Sequence, residues 1–262
     1  MVGLLFLFGF GVKLPVWPCF SWLLKAHVEA SVEFSILLSG LVVKFGALGL
    51  YRTLLLQTSP VCGYILLASS SLAILEATFR LLGQRDLKRI VALTTVVELN
   101  WVGVCIGLGS GEFDSIGGLV LVAHSFTTAA EFFGVECLYR RFGTRDLTGI
   151  SGVAYTTPVL FSFLFLTTLT TIGFPATSLF AAKLLFLTAL AQVSVVLCFL
   201  YTIVFVLVLP VAFLRVWVPV WFGQHSTYGA IGDLNGREIT IFVVSSIGSL
   251  MLGLAPSLAL PL

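Results

Sequence analysis

The chain has 262 residues, of which 58% are hydrophobic and only 10% are charged, and its mean hydropathy is +1.10. These values exclude an ordinary soluble globular domain. A formal net charge of +2 is too small to indicate a nucleic-acid partner, and no basic stripe interleaved with aromatic residues appears. The five cysteines are scattered singly, without a CxxC pair or clustered histidines, so we predict no metal site. The composition predicts an all-α integral membrane protein.

Apolar segments bounded by proline, glycine and charged residues predict about eight membrane crossings. Each crossing needs about 20 apolar residues to span roughly 30 Å of hydrocarbon. The first and sixth predicted crossings are interrupted, and no hydrophilic linker divides the chain, so we predict a single transmembrane domain over residues 1–262. The predicted crossings lie at about residues 2–24, 32–54, 60–81, 87–108, 115–139, 155–190, 192–216 and 239–260.

The basic residues are distributed unevenly between the joints that connect these crossings. If the crossings alternate in direction, one face carries most of the basic residues and Arg52 alone lies on the other face. The positive-inside rule assigns the crowded face to the cytoplasm or the mitochondrial matrix. The joints of that face carry Lys25, residues 80–89, residues 140–145, Arg215 and Arg237.

Three lysines lie inside predicted crossings. A helical rise of about 1.5 Å per residue places Lys13 about 18 Å from Met1, and Lys44 about 20 Å from Ser31, so neither ammonium easily reaches a headgroup. A charged side chain at mid-membrane costs about 2.5–3.5 kcal/mol on insertion scales. These two lysines and Lys183 therefore mark either structural ion pairs between helices or an ion or proton path. We favour the path, because intramembrane lysines mostly serve ion movement.

Two other polar residues accompany the lysines within the crossings. His124, in GLVLVAHSFTTAAEFF, lies about 13 Å into its span, and an unperturbed pKa near 6.5 suits a proton relay. The alternative is a core histidine bonded to Thr127 or Thr128. Glu98, in LTTVVELNW, lies near the middle of its span, where it could also be a structural partner for one lysine. The predicted site residues are Lys13, Lys44, Glu98, His124 and Lys183.

Both predicted interruptions lie beside a lysine. Pro15 and Pro18 remove backbone donors just after Lys13, and the stretch TTIGFPATSLFAAK places a glycine and a proline about eight residues before Lys183. Broken spans are tolerated only where the freed backbone groups face protein or water. Ordinary proline kinks are the alternative. We favour discontinuous helices that build an ion-handling site, and we expect water to reach the lysines there.

Five segments of the chain resemble successive parts of one protein family. They are VKLPVWPCFSWLLKAHVEASVEFSILLSGLVVKFGALGLYR at 12–52, QRDLKRIVALTTVVELN at 84–100, AHSFTTAAEFFGVECLYRRFGTRDLTGISG at 123–152, GFPATSLFAAKLLFL at 173–187 and DLNGREI at 233–239. In order and spacing they resemble the subunit 4 family of NADH:ubiquinone oxidoreductase, respiratory complex I, which is related to cation antiporter subunits. The resemblance implies a proton-translocating, antiporter-like subunit of the membrane arm, part of an enzyme that couples NADH oxidation and ubiquinone reduction to proton pumping.

The resemblance also implies roles for individual residues. Lys13 and Lys44 stand at the lysines of the family's first broken helix and of the next helix, and His124 stands at the histidine that passes protons onward. Protonation of Lys44 and Lys183, bridged by His124, would carry protons, while Lys13 shifts their protonation through charge repulsion. Lys183 stands where the family usually has a glutamate, and Glu98 where it has a histidine. These departures favour one alternative, a structural scaffold that no longer pumps; a free-standing cation/proton antiporter is another.

The resemblance implies no cofactor on this chain, because NADH, FMN, iron–sulfur clusters and ubiquinone would be held by other subunits. The chain resembles only the C-terminal portion of the family's usual subunit, so we expect a separate polypeptide to supply the missing N-terminal helices. Other expected partners are the remaining membrane-arm subunits and membrane lipids. We expect the protein in the mitochondrial inner membrane, with its basic loops in the matrix. The N-terminal stretch does not look like an import signal, which favours synthesis inside the organelle.

Overall fold

The computed structural model describes residues 2–55, 60–109, 111–224 and 232–259, and its regular secondary structure there is helical. The α-helices of these residues, in chain order, are α1 Val2–Lys13, α2 Ser21–Glu29, α3 Val32–Leu37, α4 Lys44–Leu55, α5 Pro60–Leu82, α6 Leu87–Leu108, α7 Gly111–Phe142, α8 Val153–Thr156, α9 Pro158–Ile172, α10 Ser178–Val193, α11 Val195–Thr202, α12 Leu209–Phe222 and α13 Gly236–Leu254.

Six helical stretches within the described ranges are long and apolar enough to cross a membrane. Four of them are α5, α6, α7 and α13. The other two are joined helices: Val32–Thr53 combines α3 and α4 through a π-helical segment at Leu38–Val42, and Val195–Phe222 combines α11 and α12 through a π-helical segment at Ile203–Val208. Such π-helical turns are rare and often lie at functional sites. The prediction of an all-α membrane protein is confirmed.

Two further crossings are each divided into two shorter helices, as the sequence predicts. α1 ends at Lys13, the chain turns through residues 14–20, and α2 then continues. α9 ends at Ile172 because Gly173 adopts the left-handed conformation, with φ 86°, and α10 begins at Ser178. With the six continuous stretches, the described residues therefore form about eight candidate crossings, of which two are discontinuous.

The last helix is shorter than predicted. α13 ends at Leu254, whereas the predicted end at residue 260 lies outside the described residues. Pro256 explains the early end, since a proline disfavours helical geometry in the residue before it, and here Ala255 has φ −133° and ψ 72°.

Two other helices run past their predicted ends at residues 24 and 216. The prediction ended these crossings near Lys25 and Arg215, yet the backbone stays helical through both residues. A charge ends the apolar part of a span, but it leaves the backbone free to continue as a helix. Both side chains are exposed, so neither charge is buried by the longer helix.

Four joints meet at one end of the helix bundle. The α5–α6 joint and the α7–α8 joint form an isolated antiparallel bridge between Asp86 and Asp146. Lys88 Nζ donates a hydrogen bond to the carbonyl of Ala30, between α2 and α3, at 2.7 Å. The α12–α13 joint is tied to the α7–α8 joint by a further hydrogen bond. We call this end the basic end, because it gathers the joints whose basic residues were predicted to share a face.

α6 is the central helix of the bundle. In its most apolar stretch, 94% of the residues are buried inside the protein, whereas in the corresponding stretch of α5 39% are buried. On one side its Trp101 packs against Phe186 of α10 and Phe205 of the second π-helical segment, with ring centroids 5.5 and 4.9 Å apart. A polar residue on α6 therefore faces protein and not lipid, which places Glu98 in the interior.

Candidate functional site

Lys44 lies where the first π-helical segment passes into α4. In that segment Val43 N donates to the Leu38 carbonyl, five residues back. The Lys44 ammonium donates to the Gly40 carbonyl at 2.8 Å and to the hydroxyl of Ser125 on α7. Ser125 Oγ in turn donates to the same Gly40 carbonyl at 3.1 Å. The lysine therefore joins the irregular turn of its own crossing to α7.

The Lys183 side chain extends from the second turn of α10 to the break between α9 and α10. Its buried ammonium donates to the carbonyls of Thr171 and Ile172, at 2.9 and 2.8 Å, which are the last carbonyls of α9. The negative end of a helix dipole attracts a cation at this position. A Cβ at Gly173 would lie 3.0 Å from Lys183 Cδ, so the glycine also gives the lysine room. The carbonyls freed by this break are thus bonded by the protein itself, and the expectation that water reaches Lys183 stays a prediction.

The side chains of Glu98 on α6 and His124 on α7 point toward each other. Both side chains are buried, and Oε2 of Glu98 lies 3.9 Å from Nε2 of His124. Within the described ranges neither of these atoms, nor His124 Nδ1, has a hydrogen-bond partner. The hydroxyls of Thr127 and Thr128 donate instead to the backbone carbonyls of Ala123 and His124. The alternative of a histidine ring bonded to these threonines is therefore wrong.

Electrostatic interactions connect this pair to the two lysines. Glu98 interacts with both Lys44 and Lys183, and His124 interacts with Lys44. These four groups come from α4, α6, α7 and α10, so the fold gathers residues that are far apart in sequence. We call Lys44, Glu98, His124 and Lys183 the central cluster.

Lys13 lies beside the central cluster and not within it. Its ammonium is 5.7 Å from the ring centroid of Phe45, the residue that follows Lys44, which is a cation–π distance. No carboxylate of the described residues lies within ion-pairing distance of this ammonium. α1 can approach α4 closely because a Cβ at Gly46 would lie only 2.9 Å from the backbone nitrogen of Leu14.

Two buried groups near the cluster are absent from the predicted site. Glu131 accepts a hydrogen bond from the Thr171 hydroxyl, and the carbonyl of the same threonine accepts from Lys183. Glu131 lies seven residues after His124, so both residues share one face of α7. This spacing is the sequence feature that could have indicated Glu131. His27 stacks on an aromatic ring of α7 with centroids 4.7 Å apart and interacts electrostatically with His124. No spacing pattern indicated His27.

A family model described as "NADH:quinone oxidoreductase/Mrp antiporter, TM" matches residues 1–210. NADH-quinone oxidoreductase subunit M of Rickettsia bellii (strain RML369-C) is 30% identical over 259 residues, covering 95% of this chain and 51% of the relative. NADH-ubiquinone oxidoreductase chain 4 of Arabidopsis thaliana is 30% identical over 268 residues, covering 97% of this chain and 52% of the relative. The chain thus spans about half the length of these relatives.

Solved structures share the fold. A chain of respiratory complex I from Thermus thermophilus with bound NADH aligns with a TM-score of 0.84 at 24% identity, covering 98% of this chain and 55% of that one. A chain of the Mrp complex from Dietzia sp. DQ12-45-1b aligns with a TM-score of 0.86 at 20% identity, covering 96% of this chain and 56% of that one. With its two broken crossings and the match over residues 1–210, the chain belongs to the NADH:quinone oxidoreductase/Mrp antiporter family of transmembrane proteins.

Proposed function

We propose that this chain is a proton-translocating subunit in the membrane arm of NADH:ubiquinone oxidoreductase, where NADH oxidation and ubiquinone reduction drive proton movement. The central cluster is the observation that carries the proposal. It brings together three buried groups, the Lys183 ammonium, the Glu98 carboxyl and the His124 imidazole, and the half-buried ammonium of Lys44, each able to bind and release a proton. Lys44 follows a π-helical segment and the Lys183 ammonium reaches the end of α9, so backbone carbonyls hold both ammonium groups.

In the proposed route each group takes up one proton from one neighbour and releases it to the next. Glu98 interacts with both lysines and His124 with Lys44, and the two side chains exchange a proton with each other when they approach. Lys13 lies outside the route, with its ammonium 5.7 Å from the ring centroid of Phe45, the residue that follows Lys44. A membrane potential of 100 mV acts on each moved charge with about 2.3 kcal/mol, so transport against it needs free energy from a redox reaction.

The proposal includes partner subunits that hold the redox cofactors NADH, FMN, iron–sulfur clusters and ubiquinone. The names of the relatives support membership of such an assembly. We further propose that helices corresponding to the unmatched half of the relatives, on a separate polypeptide, pack against α1 and supply an acid for Lys13. Support comes from Lys13, whose ammonium has no carboxylate of the described residues within ion-pairing distance.

The proposed location is the mitochondrial inner membrane, with the protein encoded in the organelle and the basic end in the matrix. The positive-inside rule supports this orientation. Its test is a single cysteine substituted for the exposed Lys25 at the basic end. In sealed vesicles with the matrix side inside, a membrane-impermeant maleimide should label this cysteine only after the vesicles are opened. Labelling of intact vesicles contradicts the orientation.

Two alternatives remain distinct from this proposal. The two hydrogen bonds of Lys183 favour a structural scaffold, because they connect α10 to the last carbonyls of α9 and stabilise the break between these helices. A free-standing cation/proton antiporter is favoured by the antiporter half of the family description.

One experiment separates the three functions. The assembly is purified through a tag on this chain, its subunits are inventoried by mass spectrometry, and protons moved per NADH oxidised are counted in liposomes. We expect quinone-reducing subunits and a further polypeptide to copurify, and His124→Leu to lower the proton ratio while the inventory stays unchanged. An unchanged ratio supports the scaffold. Cation-driven proton movement by the chain alone supports the antiporter.

A further inference from the structure

A groove of about 490 Å³ opens at the basic end, between the α5–α6 joint, the short turn after α7 and the outer surface of α12. It lies apart from the central cluster and shares no residue with it. Its lining combines two guanidinium groups, an amide and a hydroxyl with apolar side chains. The polar lining residues are Gln84, Arg85, Thr148 and Arg215, and the apolar ones include Leu82 and Val216.

The positive charges of this groove are not neutralised by ion pairs. Arg85 and Arg215 are exposed, and neither side chain forms an ion pair or hydrogen bond with another described residue. Asp146 lies within electrostatic range of Arg85, and its Oδ1 accepts hydrogen bonds from Oγ1 and N of Thr148 at 2.7 and 2.9 Å. These hydrogen bonds hold the pKa of Asp146 below its usual range. The groove therefore carries two positive charges against one negative charge.

The position of Arg215 indicates the class of ligand. Arg215 lies on the exposed side of an apolar crossing, with exposed Leu214 and Val218 nearby. The crossing Val195–Phe222 has 28 residues, which is about 42 Å of helix against roughly 30 Å of hydrocarbon. By the same rise Arg215 lies roughly 10 Å from the end of that helix, about 4 Å inside the hydrocarbon boundary if the helix is centred in the membrane. Its long side chain can extend from there to the headgroup region. A lipid phosphate is therefore within reach of its guanidinium.

We propose that this groove binds the headgroup of an anionic phospholipid. The phosphate oxygens accept hydrogen bonds from Arg85 and Arg215, whose planar guanidinium groups match phosphate geometry. The Gln84 amide donates to the headgroup, and the acyl chains extend along the apolar wall that begins at Leu82 and Val216. The proposal is independent of proton transport, because it uses none of the central cluster.

The test is lipid binding to the full chain in neutral detergent, followed by native mass spectrometry with phosphatidylglycerol and phosphatidylcholine. Each basic residue near a charged lipid surface contributes about fivefold in affinity. We expect Arg85→Gln and Arg215→Gln each to weaken phosphatidylglycerol binding by about fivefold and to leave phosphatidylcholine binding unchanged. Arg237→Gln is the matched control, since Arg237 is exposed at the same end but does not line the groove.

Two further measurements test whether charge drives the binding and whether the ligand is a lipid or a free phosphate. Asp146→Asn keeps the cap of the short turn and removes the negative charge, so it should strengthen phosphatidylglycerol binding severalfold. Glycerol phosphate, which has the headgroup phosphate but no acyl chain, should not displace the lipid at equal concentration. Equal weakening by Arg237→Gln overturns the proposal, because binding would then reflect the charge of the whole face. Displacement by glycerol phosphate overturns it in favour of a free-phosphate site.

Discussion

Nε2 of His124 and Oε2 of Glu98 lie 3.9 Å apart in the interior, and neither atom has a hydrogen-bond partner in the part of the chain that the structure describes. A direct hydrogen bond needs about 2.8 Å, so the two atoms must approach by about 1 Å before a proton passes between them. Buried polar atoms are usually paired, because leaving one unpaired costs about 1–3 kcal/mol. We interpret this pair as the point where the route opens and closes.

Glu98 should be replaceable only by another group that binds a proton. Glu98→Gln keeps the size of the side chain but cannot titrate, so we expect it to lower the number of protons moved per NADH oxidised. Glu98→His provides the residue that the resemblance implies at this position and should retain transport. Both ratios are measured in liposomes containing the assembly. Full transport by the glutamine variant would show that Glu98 lies outside the route.

The Thr171 hydroxyl should stabilise the buried carboxyl of Glu131. Thr171→Val keeps the shape but removes the donor of this hydrogen bond, so we expect a loss of about 1–3 kcal/mol in the free energy of unfolding. Thr171→Ser keeps the hydroxyl and is the matched control. The two variants are compared by thermal denaturation in detergent. An unchanged free energy of unfolding in the valine variant would mean that the hydrogen bond to Glu131 does not contribute.

Gly173 should tolerate no side chain. With φ 86°, an alanine costs about 1–2 kcal/mol from the left-handed conformation alone, and its Cβ would also crowd Lys183 at 3.0 Å. Gly173→Ala should therefore lower both stability and proton transport. Gly118→Ala is the control, because a Cβ there meets nothing within 4 Å. The expectation fails if the two alanine variants behave alike.

The end of α1 should depend on Gly46. A Cβ at this position would lie 2.9 Å from the backbone nitrogen of Leu14, so Gly46→Ala should push α1 away from α4 and cost about 1–3 kcal/mol of unfolding free energy. Gly9→Ala, where a Cβ meets nothing within 4 Å, should be close to neutral. Hydrogen exchange of α1 amides measures the difference. Unchanged protection in the Gly46 variant would contradict close packing at this point.

Local signals predicted much of the fold. The breaks after Lys13 and Ile172 were predictable because proline and glycine act on the backbone of their own segment. The π-helical segment at Leu38–Val42 was not predicted, since no sequence pattern there differs from that of an ordinary apolar helix. The ends of α2 and α12 were placed too early because a charged side chain was taken as a helix end.

The candidate site was predictable in its members but not in its geometry. Charge inside an apolar span singles out Lys44, Glu98 and Lys183, because such residues are costly in lipid. The approach of Glu98 to His124 depends on how α6 packs against α7, which no local pattern contains. The link from Glu131 through Thr171 to Lys183 depends on three different helices and was missed for the same reason.

The most direct test of the proton route is the number of protons moved per NADH oxidised by an assembly carrying Lys44→Gln. The glutamine side chain is polar but cannot be titrated, so the account predicts a clear fall in this ratio with unchanged subunit inventory. Lys25→Gln, which changes an exposed lysine at the basic end, should leave the ratio at its original value. An undiminished ratio in the Lys44→Gln assembly would contradict the proposal that protons pass through the central cluster.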